Sequence, residues 1–410
     1  MISKTWVEIS KKNLLHNAGQ FLKLLKPETQ FMAVVKSNAY GHGLREVVSI
    51  IHNSKLVTHN SRTWFGVDNL DEARTVLEIA PKSPVLVLGY TQQSRLLEAA
   101  KLGARITVYN WETVKMLRTI FGVASESSRW RTLSGATPLR VHVKVETGTT
   151  RQGIGEDEVV EYVKALKKIR GVEVEGISTH FADSEDTRSK YALEQLGRYN
   201  RIVKRLETAQ IRIPVQHKAC TAATMRLPQA HGNLVRVGIG MYGLWPSVDV
   251  AATFRSPHGG LKTAATRSVT LTPVLTWKTI VAQVKEVKKG TPVSYGLTQR
   301  VARDSKIAVL PIGYWDGYDR GLSKIGHVLI GGKRCKIVGR VCMNMCMADI
   351  TDVSNVKPED EVVLLGKQDR VSGDEPRTQE ISAEEIAKNL DTINYEVVTR
   401  INPMLPRIII

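Results

Sequence analysis

A lysine closes the apolar run FMAVVK at residues 31–36, and SNAYGHG follows at once. An amine at the end of a buried strand is costly to desolvate unless it is paired, so Lys36 either reaches solvent or is functional. Burial lowers the pKa of such an amine, which is the property a Schiff-base lysine needs. Tyr40, four residues on and beside the flexible Gly41 and Gly43, could donate a hydrogen bond to a phosphate or simply pack. Arg236 sits in the run LVRVGIG, where a solvated arginine and a ligand-facing one are both open. Tyr295 falls in an S-Y-G turn, a place where tyrosines are mostly structural. Cys335, Cys342 and Cys346 lack a paired C-x-x-C pattern with a fourth ligand, so they read as ordinary buried thiols and no metal site is expected.

Such residues need elements to position them. Eight short apolar runs, at 31–36, 63–67, 84–88, 105–109, 140–146, 172–180, 215–219 and 234–240, alternate with amphipathic stretches such as WETVKMLRTIFG and EDEVVEYVKALKKI. Near-continuous apolar runs suit strands covered on both faces, and apolar residues three or four apart suit the helices between them. This pattern predicts an α/β fold, an N-terminal (β/α)8 TIM-type barrel over residues 1–245. A doubly wound open sheet is the alternative, but no G-x-G-x-x-G follows the first run. In a barrel, catalytic residues gather at the C-terminal ends of the strands, where Lys36 stands.

Residues 246–265 read as a linker or surface excursion, the stretch from Asp249 to Ala265 being irregular and containing Gly, Pro and Ser. From 266 to 410 the chain turns to β-rich runs broken by Gly, Pro and Asp, which predicts a mainly β C-terminal domain. One helix, SAEEIAKNL, interrupts it, with Ser382 as N-cap and Glu385 placed for a capping box. The opening WVEIS is a candidate strand for that later domain.

Composition narrows the class. A chain of 410 residues, 42% hydrophobic and 24% charged, is globular and long enough for two domains. No apolar run approaches the ~20 residues that span a bilayer, and MISKTWVEIS is no signal peptide. Four cysteines are too few for a disulfide scaffold and point to the reducing cytoplasm. The net charge of +18 invites a nucleic-acid reading, but the basic residues are spread along helical faces (Lys23, Lys26, Lys164, Lys167, Lys168, Arg201, Lys204, Arg205). A solvated cationic surface explains them, with no specific nucleic-acid partner.

The stretch AVVKSNAYGHG resembles the cofactor motif of the alanine racemases, pyridoxal-phosphate (PLP) enzymes built from a barrel and a β-domain. HVKVETGTTRQGIG, GISTHFA, LVRVGIGMYGL, VSYGLT, PIGYWDGYDR and VGRVCMNM each resemble further family motifs, in the family's order, and with weaker likeness at both ends they cover Trp6 to Arg407. The resemblance implies that Lys36 carries PLP and that Tyr40, Thr221 and the backbone of Gly238 and Ile239 hold its phosphate. The family usually has Asn-Ser where this chain has Cys220-Thr221; the threonine hydroxyl can still donate. Arg236 would face the pyridine nitrogen and keep it unprotonated, which weakens the ring as an electron sink and favours plain proton exchange. Lys36 and Tyr295 would be the two bases, one on each face of the substrate, with His180 and Arg236 supporting the tyrosine beside the cofactor.

The same resemblance gives Arg151 the cofactor's phenolic oxygen and the substrate carboxylate, and gives Lys144 the place of a lysine carbamylated in some members. Substrate would also meet the Met343 backbone and Asn344, where the family commonly has Asp. Tyr314, Asp316, Arg320 and Arg340 match an entry corridor built from both subunits of a homodimer with shared active sites. Pro403 stands near a position that often carries tyrosine. The implied function is interconversion of L- and D-alanine, supplying D-alanine for peptidoglycan. A broad-specificity or serine-preferring racemase is the runner-up, because of Asn344 and Pro403. A non-catalytic PLP-binding protein is a more distant alternative, which the β-domain and Tyr295 argue against.

Overall fold

The first strand, β1 (Thr5–Ile9), buries Trp6, Val7 and Ile9, yet its antiparallel partner is β-structure at residues 275–279. The computed structural model describes residues 3–54, 63–122, 138–255, 268–369 and 378–410. Its chain divides into two compact units, one of Leu15–Ser37 and Val47–Leu271, the other of Met1–Leu14, Asn38–Glu46 and Thr272–Ile410. The second unit thus takes in the first fourteen residues and the segment after Lys36, which the linear division at 245 did not anticipate.

In the first unit, every predicted apolar run becomes a strand. These are β2 (Gln30–Val34), β3 (Trp64–Val67), β4 (Val85–Val87), β5 (Arg105–Val108), β6 (Leu139–Lys144), β7 (Val172–Ser178), β8 (Val215–His217) and β9 (Leu234–Val237). They are parallel and lie in the order β8-β7-β6-β5-β4-β3-β2-β9. The remaining seam is bridged by Arg236 N–H to the Ala219 carbonyl (3.0 Å) and Asn233 N–H to that of Gln216 (3.3 Å), so the strands run round a barrel. Helices return between strands with one apolar face inward. Asn69 and Asn110 cap two of them, accepting from Glu72 N–H (3.0 Å) and Thr113 N–H (2.9 Å).

One stretch expected to be irregular is not. Residues Val248–Arg255 form a helix with Val250 and Phe254 buried, because VDVAATFR places apolar residues at helical spacing. Residues 256–265 of the expected linker lie outside the described residues.

The second unit is mainly β, as expected. Its strands are β10 (Leu275–Ile280), β11 (Gln283–Val287), β12 (Ser305–Leu310), β13 (His327–Ile330), β14 (Lys333–Lys336), β15 (Cys346–Asp349), β16 (Glu361–Asp369), β17 (Thr378–Ile381) and β18 (Arg407–Ile409). One sheet runs β14-β13-β16-β10-β1-β18 with β17 on β16, and a smaller one runs β11-β12-β15. Strand β10 alternates as a half-buried strand must, with Leu275, Trp277 and Thr279 inward. Ser382 caps its predicted helix through Glu385 N–H (3.1 Å), but the Glu385 carboxylate pairs with Arg334 rather than closing a capping box. A second short helix, Asn394–Thr399, follows where none was expected. Positive φ at Ser294 (68°) and Gly296 (75°) folds Tyr295–Leu297 into a 3-10 turn.

Candidate active site

Lys36 follows β2, where Val35 N–H still donates to Gly66 (2.8 Å), so the lysine leaves the sheet at the C-terminal rim of the barrel. The backbone then does something unusual. Ser37, Asn38, Ala39 and Tyr40 all have φ between 53° and 55°, a left-handed turn made without glycine. Each such residue costs roughly 1–2 kcal/mol, so the turn must be held from outside. Asn38 closes it, with its carbonyl accepting from Gly43 N–H (3.0 Å) and its Oδ1 from Leu44 N–H (2.8 Å). Arg407 Nη2 donates to the Gly41 carbonyl (3.0 Å), and a Cβ on Gly41 would stand 2.0 Å from the Val398 carbonyl oxygen. Glycine is obligatory there.

Arg236, on β9, is 6% exposed, which removes the solvated reading. Its guanidinium donates to His217 Nδ1 (2.7 Å) and to the carbonyls of His217 (2.8 Å), Thr179 (2.8 Å) and Lys218 (3.1 Å), with His180 Nδ1 at 3.4 Å. No carboxylate touches it among the described residues. Burial brings its pKa down to about 10, so at neutral pH it remains a cation.

Lys36, Lys144, Arg151, His180 and Arg236 come together electrostatically. Burial first, then the charges of Arg236, Arg151 and Lys36, hold the Lys144 amine well below the usual lysine range, with Glu146 the opposing anion. His180 is pushed well down by burial and by Lys144, Arg236, Arg151 and Lys36. Glu146 was not singled out from sequence, yet it shapes the loop that carries Arg151. Its carboxylate accepts N–H bonds from Gly148 (2.5 Å), Thr149 (2.7 Å) and Arg151 (3.3 Å). Thr221 Oγ1 accepts from Gly238 N–H (3.0 Å), and a Cβ on Gly240 would lie 2.7 Å from Thr221 Cγ2. The close packing of these two turns needs glycine at 240.

In the β unit, Tyr295 is 74% exposed on its turn. Ser294 Oγ donates to the Arg340 carbonyl (2.7 Å), which ties the turn to the segment before Cys342. Tyr295, Tyr314, Arg320, Arg340, Met343 and Asn344 line one concavity of about 1100 Å³. Gly313 permits this: a Cβ there would sit 2.1 Å from the Cys342 carbonyl oxygen, whereas Tyr314 N–H and Trp315 N–H donate to Cys342 (3.1 Å) and Met343 (3.0 Å). Asp316 departs from the expected corridor. It is buried, and its carboxylate accepts from Gly313 N–H (3.0 Å), so it holds the turn. Cys335 and Cys346 are buried thiols, and burial pushes Cys335 up to about 12.

A lysine at the rim of a TIM-type barrel, a cluster of cations around it, and a β-domain tyrosine on a tight turn match the motif order in the sequence. Family models agree over both parts: the alanine racemase N-terminal domain matches residues 9–246 and the C-terminal domain matches 274–409. The chain belongs to the alanine racemase family. This is a family of isomerases, and the resemblance read from the motifs holds along the whole chain. An alanine racemase of Carboxydothermus hydrogenoformans is 37% identical over 403 residues, 98% of each chain. One from Methanococcus maripaludis is 35% identical over 404 residues, again 98% of each. Among solved structures, alanine racemase from Bacillus anthracis with bound L-Ala-P is 32% identical with a TM-score of 0.84, covering 100% of this chain and 96% of that one. The Clostridium difficile alanine racemase gives 31% and 0.85 at the same coverage.

Proposed function

We propose that the protein is a PLP-dependent, two-base racemase that interconverts L- and D-alanine in the cytoplasm and supplies D-alanine for peptidoglycan. The observation that carries this reading is the charge around Lys36: Lys144, Arg151 and Arg236 face one another with Glu146 as the opposing carboxylate. That surplus of positive charge suits a ligand with a phosphate and a substrate with a carboxylate. The residues fit the cofactor. Lys36 would carry it, and Arg236, fixed by acceptors alone, would donate to its ring nitrogen. Thr221 Oγ1 already accepts from Gly238, which leaves its own hydrogen for a phosphate oxygen, alongside Tyr40 and the Gly238–Ile239 backbone. When bound, PLP supplies the electron withdrawal that makes the substrate Cα–H acidic.

The chain's own groups do the rest. Arg151 and the Met343–Asn344 segment would orient the substrate carboxylate. Lys36 Nζ and Tyr295 Oη would stand on opposite faces of Cα, one removing a proton and the other returning one, so that configuration inverts without net change in composition. The low proton affinity of the Lys144 amine suits the carbamate that some relatives carry, which would pair with Arg151. Leu297, Trp315 and Met343, in the same unit as Tyr295, are 63%, 62% and 55% exposed. Exposed apolar residues of this kind would suit a subunit interface, in keeping with a homodimer in which each Tyr295 serves the partner's barrel.

Asn344 favours a second substrate class. Its amide can donate to a hydroxyl that a carboxylate could only accept from, so serine turnover would rise relative to alanine. The deciding experiment is a visible absorption spectrum of the purified protein with racemisation assays across small amino acids. A PLP-loaded protein that inverts none of them would refute the reading.

A further inference from the structure

A chain of buried polar groups crosses the barrel interior beneath Arg236. His217 Nδ1 lies 2.7 Å from Arg236 Nη1, His217 Nε2 lies 2.8 Å from His142 Nδ1, and His142 Nε2 lies 3.0 Å from Glu175 Oε2. Beyond it, Arg105 grips both oxygens of Glu175 at 2.6 and 3.0 Å. His142 is fully buried, and a Cβ on Gly176 would stand 2.2 Å from its Nδ1, so glycine makes room for the ring.

The proton positions follow from one fact. A guanidinium only donates, so His217 Nδ1 must accept. A neutral His217 then carries its proton on Nε2 and donates to His142 Nδ1. His142 in turn carries its proton on Nε2 and donates to the carboxylate. Every group in the chain has one compatible state, with the Glu175 anion at one end and the Arg236 cation at the other. Burial opposes ionisation of Glu175, but the bonds from His142 and Arg105 outweigh it and bring it down to about 2. Burial lowers both histidines. His142 faces Glu175 against Arg105 and Arg236, while His217 faces Arg236, His142, Lys144 and Lys218, so both stay neutral.

We propose that Glu175 is a positioning residue for the candidate active site: through His142 and His217 it fixes the acceptor that orients Arg236. This rests on the reading of Arg236 as facing the cofactor ring. Without an acceptor at 175, His142 is free to shift its proton to Nδ1. His217 would then have to accept at Nε2 and present Nδ1–H to Arg236, donor against donor, and the guanidinium would turn away.

Imidazole ¹⁵N NMR of the PLP-free full chain tests the chain itself. Both rings should be neutral and protonated at Nε2 at about pH 7 and above. In the holoenzyme, Glu175→Met should disturb that order, lower kcat roughly tenfold with KM little changed, and shift the absorption band of bound PLP. Glu175→Gln keeps an acceptor oxygen, so it should retain the tautomers and lose no more than about threefold. It also serves if the methionine variant does not fold. A proton on His217 Nδ1 in the wild type overturns the chain, even with racemisation intact. So does a Gln variant as impaired as Met, or a Met variant with disordered tautomers but unchanged kcat and spectrum. The expected tautomers in a protein that neither binds PLP nor racemises would sink the proposed function and the positioning role with it.

Discussion

The left-handed turn after Lys36 makes a prediction whose sign is opposite to that of an ordinary helix. In a right-handed helix, glycine is worse than alanine by about 1 kcal/mol. Ser37 has φ of 55° and is exposed, so its substitutions report on backbone conformation with little packing change. A left-handed alanine costs roughly 1–2 kcal/mol that glycine does not, set against about 0.5–1 kcal/mol of extra unfolded-state entropy for glycine. Ser37→Gly should therefore exceed Ser37→Ala in stability by up to about 1.5 kcal/mol, which at that upper end is a difference in melting midpoint of about 3–6 °C for a unit of this size. Scanning calorimetry of the two PLP-free variants, side by side, gives the order directly. Asn38→Ala should fall further still, since it also loses the bond to Leu44 N–H, worth about 1 kcal/mol. If alanine equals or beats glycine at position 37, the turn is right-handed or unstrained and the account of how Lys36 is presented fails.

Three further outcomes concern the chemistry. Borohydride treatment should leave reduced cofactor on Lys36 alone, and peptide mapping that finds it on another lysine would reassign the site. Arg236→Glu should slow racemisation by about 10²-fold or more while transamination gains relative to it, and an unchanged ratio of the two products would mean that Arg236 does not face the ring nitrogen. Lys36→Ala and Tyr295→Ala homodimers should each be nearly inactive, whereas purified mixed dimers should regain one competent site in two; no activity above the parents would show that Tyr295 does not serve its partner's barrel.

Fold class was legible because burial leaves a strong pattern. The eight apolar runs became β2–β9, and the helices between them follow the apolar spacing. What escaped was set by contacts distant in sequence. WVEIS reads as a strand, but nothing local says that it joins the later unit. Val248–Arg255 was hidden by its Gly- and Pro-rich neighbours. Within the candidate site, Lys36, Arg236 and Tyr295 were found because they sit in motifs. His142, His217 and Glu175 were not, since a polar side chain turned inward on a strand looks like any alternating residue until its partner is seen, and the loop carboxylate Glu146 shows its role only through the N–H groups it gathers. Asp316 shows the converse, a motif residue whose carboxylate turns inward to hold Gly313.

The placement of β1 has a consequence for how the chain matures on the ribosome. Thr5 pairs with Thr279 and Val7 with Arg407, so β1 needs partners that are made roughly 270 to 400 residues after it. At about 5–20 residues per second, the interval is on the order of 20–80 s. The barrel segments 15–37 and 47–271 are complete before that time is out. Until β10 is made, the apolar side chains of Trp6, Val7 and Ile9 lack their sheet, and with an unpaired edge the strand is open to mispairing. A chaperone that shields the nascent β1 segment would therefore raise the yield of this protein more than that of a barrel whose strands pair in order.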